Sequence, residues 1–226
     1  MFECFYSFYG LNEALFLIVN KATNFGIFPR VLQIISWVFS IANFSICYIA
    51  LCLYHYTQLK QINDLNQRQI KFWYLYNEIV LAGIIYTIFG LIYAILKFSI
   101  NLPRPFCSLE SVNFTTIANI ASERCLSSFP SAHTGLAFLV AYLLWKYFNL
   151  AQKIIAILIV MLVAISRISL AMHYPSDIIY SLVIVLFIIV AGDKAYMFFR
   201  DNIIQKIGTI IYTKITAKEI QFLNEY

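Results

Sequence analysis

Residues 153–198 read KIIAILIVMLVAISRISLAMHYPSDIIYSLVIVLFIIVAGDKAYMF, two long apolar runs joined by the polar break His173-Tyr174-Pro175-Ser176-Asp177. A helix needs about 20 mostly apolar residues to cross the hydrocarbon of a bilayer, and each run supplies that length. Proline disfavours helix at the residue before it and suits the first position of a new one. The spacing therefore predicts one membrane helix over 153–171, ending near His173, and another over 176–198 that opens at Pro175. Working outward, apolar stretches bounded by Pro, charge or polar clusters predict further spans at 31–54, 73–98 and 132–148. Residues 5–20 (FYSFYGLNEALFLIVN) are shorter and interrupted by Gly10, Asn12 and Glu13, so an amphipathic helix lying at the interface is expected there. The expectation is an all-α integral membrane protein: one domain over 1–226, a bundle of five transmembrane helices (six if residues 5–20 also cross) with an N-terminal interfacial helix.

Composition agrees with this and excludes other classes. Hydrophobic residues make up 62% of the chain and charged residues 12%, whereas a soluble domain has about half and about a quarter. The net charge of +5 comes from Lys and Arg placed singly or in pairs, with no basic stripe or aromatic interleaving of the kind that grips nucleic acid. No nucleic-acid partner is expected. The five cysteines (4, 47, 52, 107 and 125) include no CxxC and no Cys/His cluster at zinc spacing, so no metal is expected. The first 20 residues lack Lys and Arg and do not fit a cleavable signal peptide.

If the five spans alternate, the loop 55–72, the hinge 146–153 and the tail after 194 share one side and carry ten of the sixteen Lys and Arg residues. That side is cytoplasmic by the positive-inside rule. The loop 99–131 and the turn at 172–176 then face outward. The tail 200–226, alternating apolar and charged residues, is expected along the inner surface or as a solvated helix. Cys107 and Cys125 fall in the outward loop, where they either form a disulfide or remain two thiols.

Three short segments at the outward helix ends carry chemistry. In KFSINLPRP (97–105), Lys97 closes a span and Arg104 is held between Pro103 and Pro105, a stiff extended strut suited to presenting a guanidinium to an anion. In Pro130-Ser131-Ala132-His133 a helix-start signal precedes an apolar run, and the free N–H groups of a first helical turn form an anion site. Ser131 and the Ala132 amide are thus candidate phosphate ligands, with His133 beside them. In the third segment, Ser166-Arg167 is followed by His173 and Asp177. Asp177, third in its helix, can reach back toward the cap, and Arg167 lies about 9 Å below His173 on a regular helix. Bland readings exist for each residue alone: a snorkelling lysine, a simple N-cap, a capping aspartate. Together, three cations with one adjacent acid leave positive charge for a dianion, and two of the chain's three histidines sit among them; His55 falls at the opposite face.

Lys97-x6-Arg104-Pro105, Pro130-Ser131-x-His133 and Ser166-Arg167-x5-His173-x3-Asp177 resemble, in order and spacing, the three-part signature of the type 2 phosphatidic acid phosphatase (PAP2) superfamily, in its branch of small bacterial membrane lipid phosphatases. The family usually has Gly where this chain has Ala132. The resemblance implies a metal-independent, cofactor-free phosphatase in which His173 attacks phosphorus, Asp177 orients it, His133 is the general acid, and Lys97, Arg104, Ser131, Ala132 and Arg167 hold the phosphate. It implies a substrate among membrane lipids (phospholipid, polyprenyl phosphate or pyrophosphate, or lipid A). The expected place is a bacterial inner membrane with the site facing the periplasm or exterior. A lipid phosphotransferase would use the same site, while a transporter would spread its charges through the bilayer instead of gathering them at one face.

Overall fold

The computed structural model describes residues 3–110, 114 and 124–224, with side chains between 5 and 216, and these residues contain helices and no strand. After a π-helical turn at Glu3–Ser7 come α1 (Leu11–Thr23), α2 (Phe28–Val38), α3 (Ile41–Lys60), α4 (Leu65–Ser99) and the single turn α5 (Pro105–Ser108). Then follow α6 (Ala132–Leu144), α7 (Leu150–Ser169), α8 (Pro175–Phe199) and α9 (Gln205–Asn224). Three described helical runs are long and apolar enough to cross a membrane: α4, α7, and Pro175–Thr216, in which α8 continues through a π turn into α9. A fourth is added if α2 and α3 count as one broken span.

Several boundaries differ from the sequence expectation, each for a local polar reason. The span expected over 31–54 is broken at Phe39–Ser40, where the Asn43 amide donates to the Trp37 carbonyl (2.8 Å) and the Ser40 hydroxyl accepts from the Asn43 N–H (3.2 Å). Such short side chains offer the backbone an alternative to the helical ladder. The loop expected over 55–72 shrinks to a turn because Asp64 caps α4, accepting from Asn66 and Gln67 N–H at 2.8 and 3.1 Å. Helix α6 has 13 residues and ends in a 3-10 turn at Trp145–Tyr147. At about 1.5 Å per residue it is shorter than the 30 Å hydrocarbon layer, so the span expected over 132–148 is not among the long apolar helices.

The chain is organised as two compact units, Met1–Phe44 with Phe89–Phe187 and Ser45–Ile88 with Ile188–Tyr226. The first buries polar side chains among apolar ones and exposes large apolar side chains. Helix α7 exposes Ile154, Ile155, Leu158 and Met161 while burying Ser166, Arg167 and Ser169, the inverse of a water-soluble helix and the pattern that lipid favours. Small residues allow close approach: a Cβ on Gly135 of α6 would collide with the Tyr93 hydroxyl and lie 2.8 Å from Ser181 Oγ. A hydrophobic cluster of Phe16, Tyr174, Ile168 and Ile178 packs α1 against the turn between α7 and α8. In the second unit, Leu59, Phe72 and Leu75 form a cluster joined by Tyr212 and Ile215 of α9, which packs that part of the tail against α3 and α4. Gly208 permits this, because a Cβ there would lie 2.7 Å from the rings of Trp73 and Tyr76.

Candidate active site

All the residues singled out by the three segments lie in the first unit. Helix α7 begins in a capping box, with Asn149 and Gln152 exchanging side-chain and backbone hydrogen bonds at 2.9 and 3.0 Å. It stops two residues before the expected end, at Ser169. Ala171 adopts φ +56°, its N–H donates to the Ile168 carbonyl and that of Met172 to the Arg167 carbonyl, both at 3.0 Å. This is a Schellman ending made with alanine where glycine is usual. The chain folds back, so the His173 N–H also reaches the Arg167 carbonyl (3.2 Å). His173 is thus brought onto the last turn of α7 instead of standing a helical turn and a half above Arg167.

Pro175 opens α8 as expected, and Asp177 in its first turn accepts the Tyr174 N–H at 2.9 Å, the backbone half of a capping box. The same carboxylate meets the imidazole: His173 Nδ1 lies 3.4 Å from Asp177 Oδ2. Oδ2 also accepts the Ser128 hydroxyl (2.5 Å), and Oδ1 accepts the Tyr6 hydroxyl (2.8 Å). Asp177 therefore caps its own helix and faces His173 at once.

The cations arrive from three directions. Arg104 is extended (φ −75°, ψ 156°) and buried, with its N–H donating to the Cys125 carbonyl at 2.9 Å. An isolated bridge pairs Pro103 with Leu126, and the Ser128 N–H reaches the Leu102 carbonyl. The strut expected from two prolines is thus braced by a partner segment, which the Cys107–Cys125 disulfide ties to α5 (Cα–Cα 5.7 Å). Arg104 Nη1 contacts Met172 Sδ at 3.2 Å. Lys97, in the last turn of α4, donates to the Ser127 carbonyl at 2.9 Å, and buried Arg167 donates through Nη1 to Ser36 Oγ of α2 at 2.5 Å.

Ser131 is the buried N-cap of α6. Its hydroxyl turns to Thr134 Oγ1 (3.0 Å) instead of capping an amide, and its carbonyl accepts from Ser181 (2.7 Å). Ala132 and His133 are the first two helical residues, and His133 lies within electrostatic reach of Arg167, His173, Lys97 and Arg104. Burial, then the positive charges of Arg167, Lys97 and Arg104, hold the His173 imidazole well below its ordinary pKa, opposed by a hydrogen bond with the Ser128 main chain. A neutral imidazole within electrostatic reach of two guanidinium groups and an ammonium can attack an electrophile that carries an anion's charge.

The disulfide carries its own prediction. It closes a separation of 18 residues, and loops of about that size lose roughly 3 kcal/mol of stability in the chain-entropy model when the bridge is absent. Cys107→Ser/Cys125→Ser should lower the thermal unfolding midpoint in detergent by several degrees; an unchanged midpoint would show that the bridge constrains nothing.

Tyr6, Ser128, Ser36 and Met172 contact the candidate residues and were not singled out by sequence. Ser128, two residues before Pro130, could have been found from its place beside the second segment. Tyr6 is 171 positions from Asp177, and no local pattern links them.

A helical bundle with these groups at the ends of α4, α6 and α7 has the makings of a phosphoryl-transfer site. The family model of the PAP2 superfamily matches residues 78–199, more than half of the chain, and the protein belongs to that superfamily. Its fold is similar to that in the crystal structure of Aquifex aeolicus LpxE, with a TM-score of 0.63 and 21% identity over 81% of this chain and 95% of that one. No curated protein matches the sequence.

Proposed function

We propose that the protein is a membrane lipid phosphatase that hydrolyses a phosphomonoester or pyrophosphate of a lipid at the outer face of the membrane, through a phosphohistidine. The observation that carries this reading is the buried His173 beside Asp177 with Lys97, Arg104 and Arg167 acting on it, in a chain of the PAP2 superfamily. A ring nitrogen of His173 attacks phosphorus and the bond to the leaving oxygen breaks. His133 gives that oxygen its proton, then takes one from the water that attacks the phosphohistidine and breaks the P–N bond. Asp177 faces Nδ1 and so directs the other nitrogen to the substrate; separations such as 3.4 Å commonly tighten once substrate is bound. Lys97, Arg104, Arg167, Ser131 and the Ala132 amide hold the phosphoryl oxygens, where positioning and charge do most of the work of phosphoryl transfer. Nucleophile, acid and anion ligands are all amino-acid residues in this scheme, which assigns no step to a metal.

The substrate class follows from depth: the site residues cluster at the ends of apolar helices, where a lipid phosphate lies while its chains remain in the bilayer. Phospholipid, polyprenyl phosphate or pyrophosphate, and lipid A all meet this condition. The arrangement we favour is a single membrane domain over 1–226 with five spans, residues 5–20 at the interface and the tail in the cytoplasm. The site then faces the periplasm or exterior of a bacterial inner membrane.

Purified protein in mixed micelles should release inorganic phosphate from at least one lipid of a panel comprising phosphatidic acid, phosphatidylglycerophosphate, undecaprenyl pyrophosphate and lipid A. EDTA should leave the rate unchanged, and vanadate should inhibit by taking the phosphate's place. A rate that vanishes with EDTA and returns with a divalent cation would overturn the metal-free mechanism.

A further inference from the structure

We propose that Tyr6 is a positioning residue for phosphoryl transfer: its hydroxyl fixes the plane of the Asp177 carboxylate that faces His173, making the N-terminal segment part of the catalytic apparatus. The inference rests on the roles given above to His173 and Asp177. Tyr6 lies far outside the matched residues 78–199, so family membership assigns it nothing.

The geometry divides the carboxylate into two ends. Oδ2 receives the Ser128 hydroxyl and the Tyr174 N–H and lies 3.4 Å from His173 Nδ1. Two donors on one oxygen hold that oxygen in place but leave the group able to swing about it. Oδ1 is held by Tyr6 at 2.8 Å, and a donor on the second oxygen removes the swing. Burial, and then the charge of Asp177, push the Tyr6 phenol above its ordinary pKa, so it remains an O–H donor.

Tyr6 is itself held by contacts that do not use its hydroxyl. Its ring meets Phe129 and Tyr174 edge-on, with centroids 6.3 and 6.4 Å apart. The neighbouring Phe5 carbonyl accepts from Tyr180. Farther along, the Asn12 amide and Ser176 exchange two hydrogen bonds of 2.8 and 3.0 Å. The segment 5–12 is thereby anchored to the start of α8 on both sides of Tyr6. Tyr6→Phe should keep the ring in place and remove the hydroxyl's bond to Asp177, together with its weaker interactions with Ser128 and Ser176.

The test is a double-mutant cycle on full-length protein in detergent with p-nitrophenyl phosphate and phosphatidic acid. Tyr6→Phe should lower kcat by about ten- to a hundredfold, the scale of a lost hydrogen bond to a charged group, with KM within about twofold and an unfolding midpoint lowered by several degrees, the variant still folded at the assay temperature. In an Asp177→Asn background the same change should cost less than about twofold, because the two residues act as a unit. Wild-type kcat in Tyr6→Phe, or losses that multiply in the double variant, would overturn the proposal and leave His173 and Asp177 untouched. Full activity in Asp177→Asn alone would instead overturn the reading on which it rests.

Discussion

His173→Ala is expected to lower phosphate release by at least about four orders of magnitude, the scale on which losing a covalent nucleophile acts in a site that keeps its electrostatic groups. The remaining cations and helix amides would still bind phosphate, so vanadate affinity should fall far less than turnover. From its place at a helix break the side chain is expected to contribute little packing, but it is among the largest fully buried side chains of the protein. Alanine therefore leaves a cavity and a lower unfolding midpoint. His173→Asn, closer in volume, separates the two effects: it should restore part of the lost stability and none of the turnover. Rapid quenching of the unmodified protein with labelled lipid should trap an acid-labile, base-stable phosphoryl adduct on His173, absent from both variants. Full turnover in His173→Asn would remove His173 from the reaction.

The candidate site residues are easier to pick out from the sequence than the helix boundaries. Pro175 and Asp177 mark the start of α8 through steric and capping rules that act within four residues, and the structure places that start at Pro175. The start of α4 is equally local, since Asp64 is an N-cap, but the polar residues Asn66, Gln67, Arg68, Gln69 and Lys71 mask it against a signal tuned to apolar length. Ser40 and Asn43 break the helix between Val38 and Ile41, where hydropathy alone reads as continuous. Helix α7 ends two residues before the expected 171 because the left-handed residue is Ala171; without a glycine, nothing in the composition announces a Schellman turn.

Within the site, what the sequence hid was the set of contacts made across long separations. Lys97, Arg104, Ser131, His133, Arg167, His173 and Asp177 were visible because each sits on a local signal: a span end, a proline pair, a helix start. Ser36 and Tyr6 come from the N-terminal segment, whose sequence is merely apolar with scattered polar residues. Their roles arise once α1 and α2 pack against α7, a tertiary event without periodic trace. The same holds for buried Asn12 and Asn20, whose amides donate to Ser176 Oγ and to the Ser169 carbonyl. Polar groups in a lipid-facing bundle find partners on neighbouring helices or are lost, so such residues mark an interior face even when the partner is unreadable.

His133→Ala should behave unlike His173→Ala, and the difference tests the assignment of acid and nucleophile. His133 is half-buried in the first turn of α6, beside Ser131 and within reach of the charges around His173. In the proposed reaction it protonates the departing oxygen, a contribution of about 10²–10⁴-fold for general acid catalysis. Lipid alkyl phosphates depart as poor leaving groups and need that proton, so their kcat should fall by about this factor. p-Nitrophenolate departs without one, and its first-step rate should fall by less than about tenfold. The water step still lacks its base, however, so p-nitrophenyl phosphate should give a burst of nitrophenol followed by a slow steady state, with phosphohistidine accumulating in the variant. Asp177→Asn should show no such selectivity, because a misdirected His173 attacks both substrates poorly. Equal losses on the two substrates in His133→Ala, with no burst, would take the proton transfer away from His133 and leave it a place among the groups that bind phosphate.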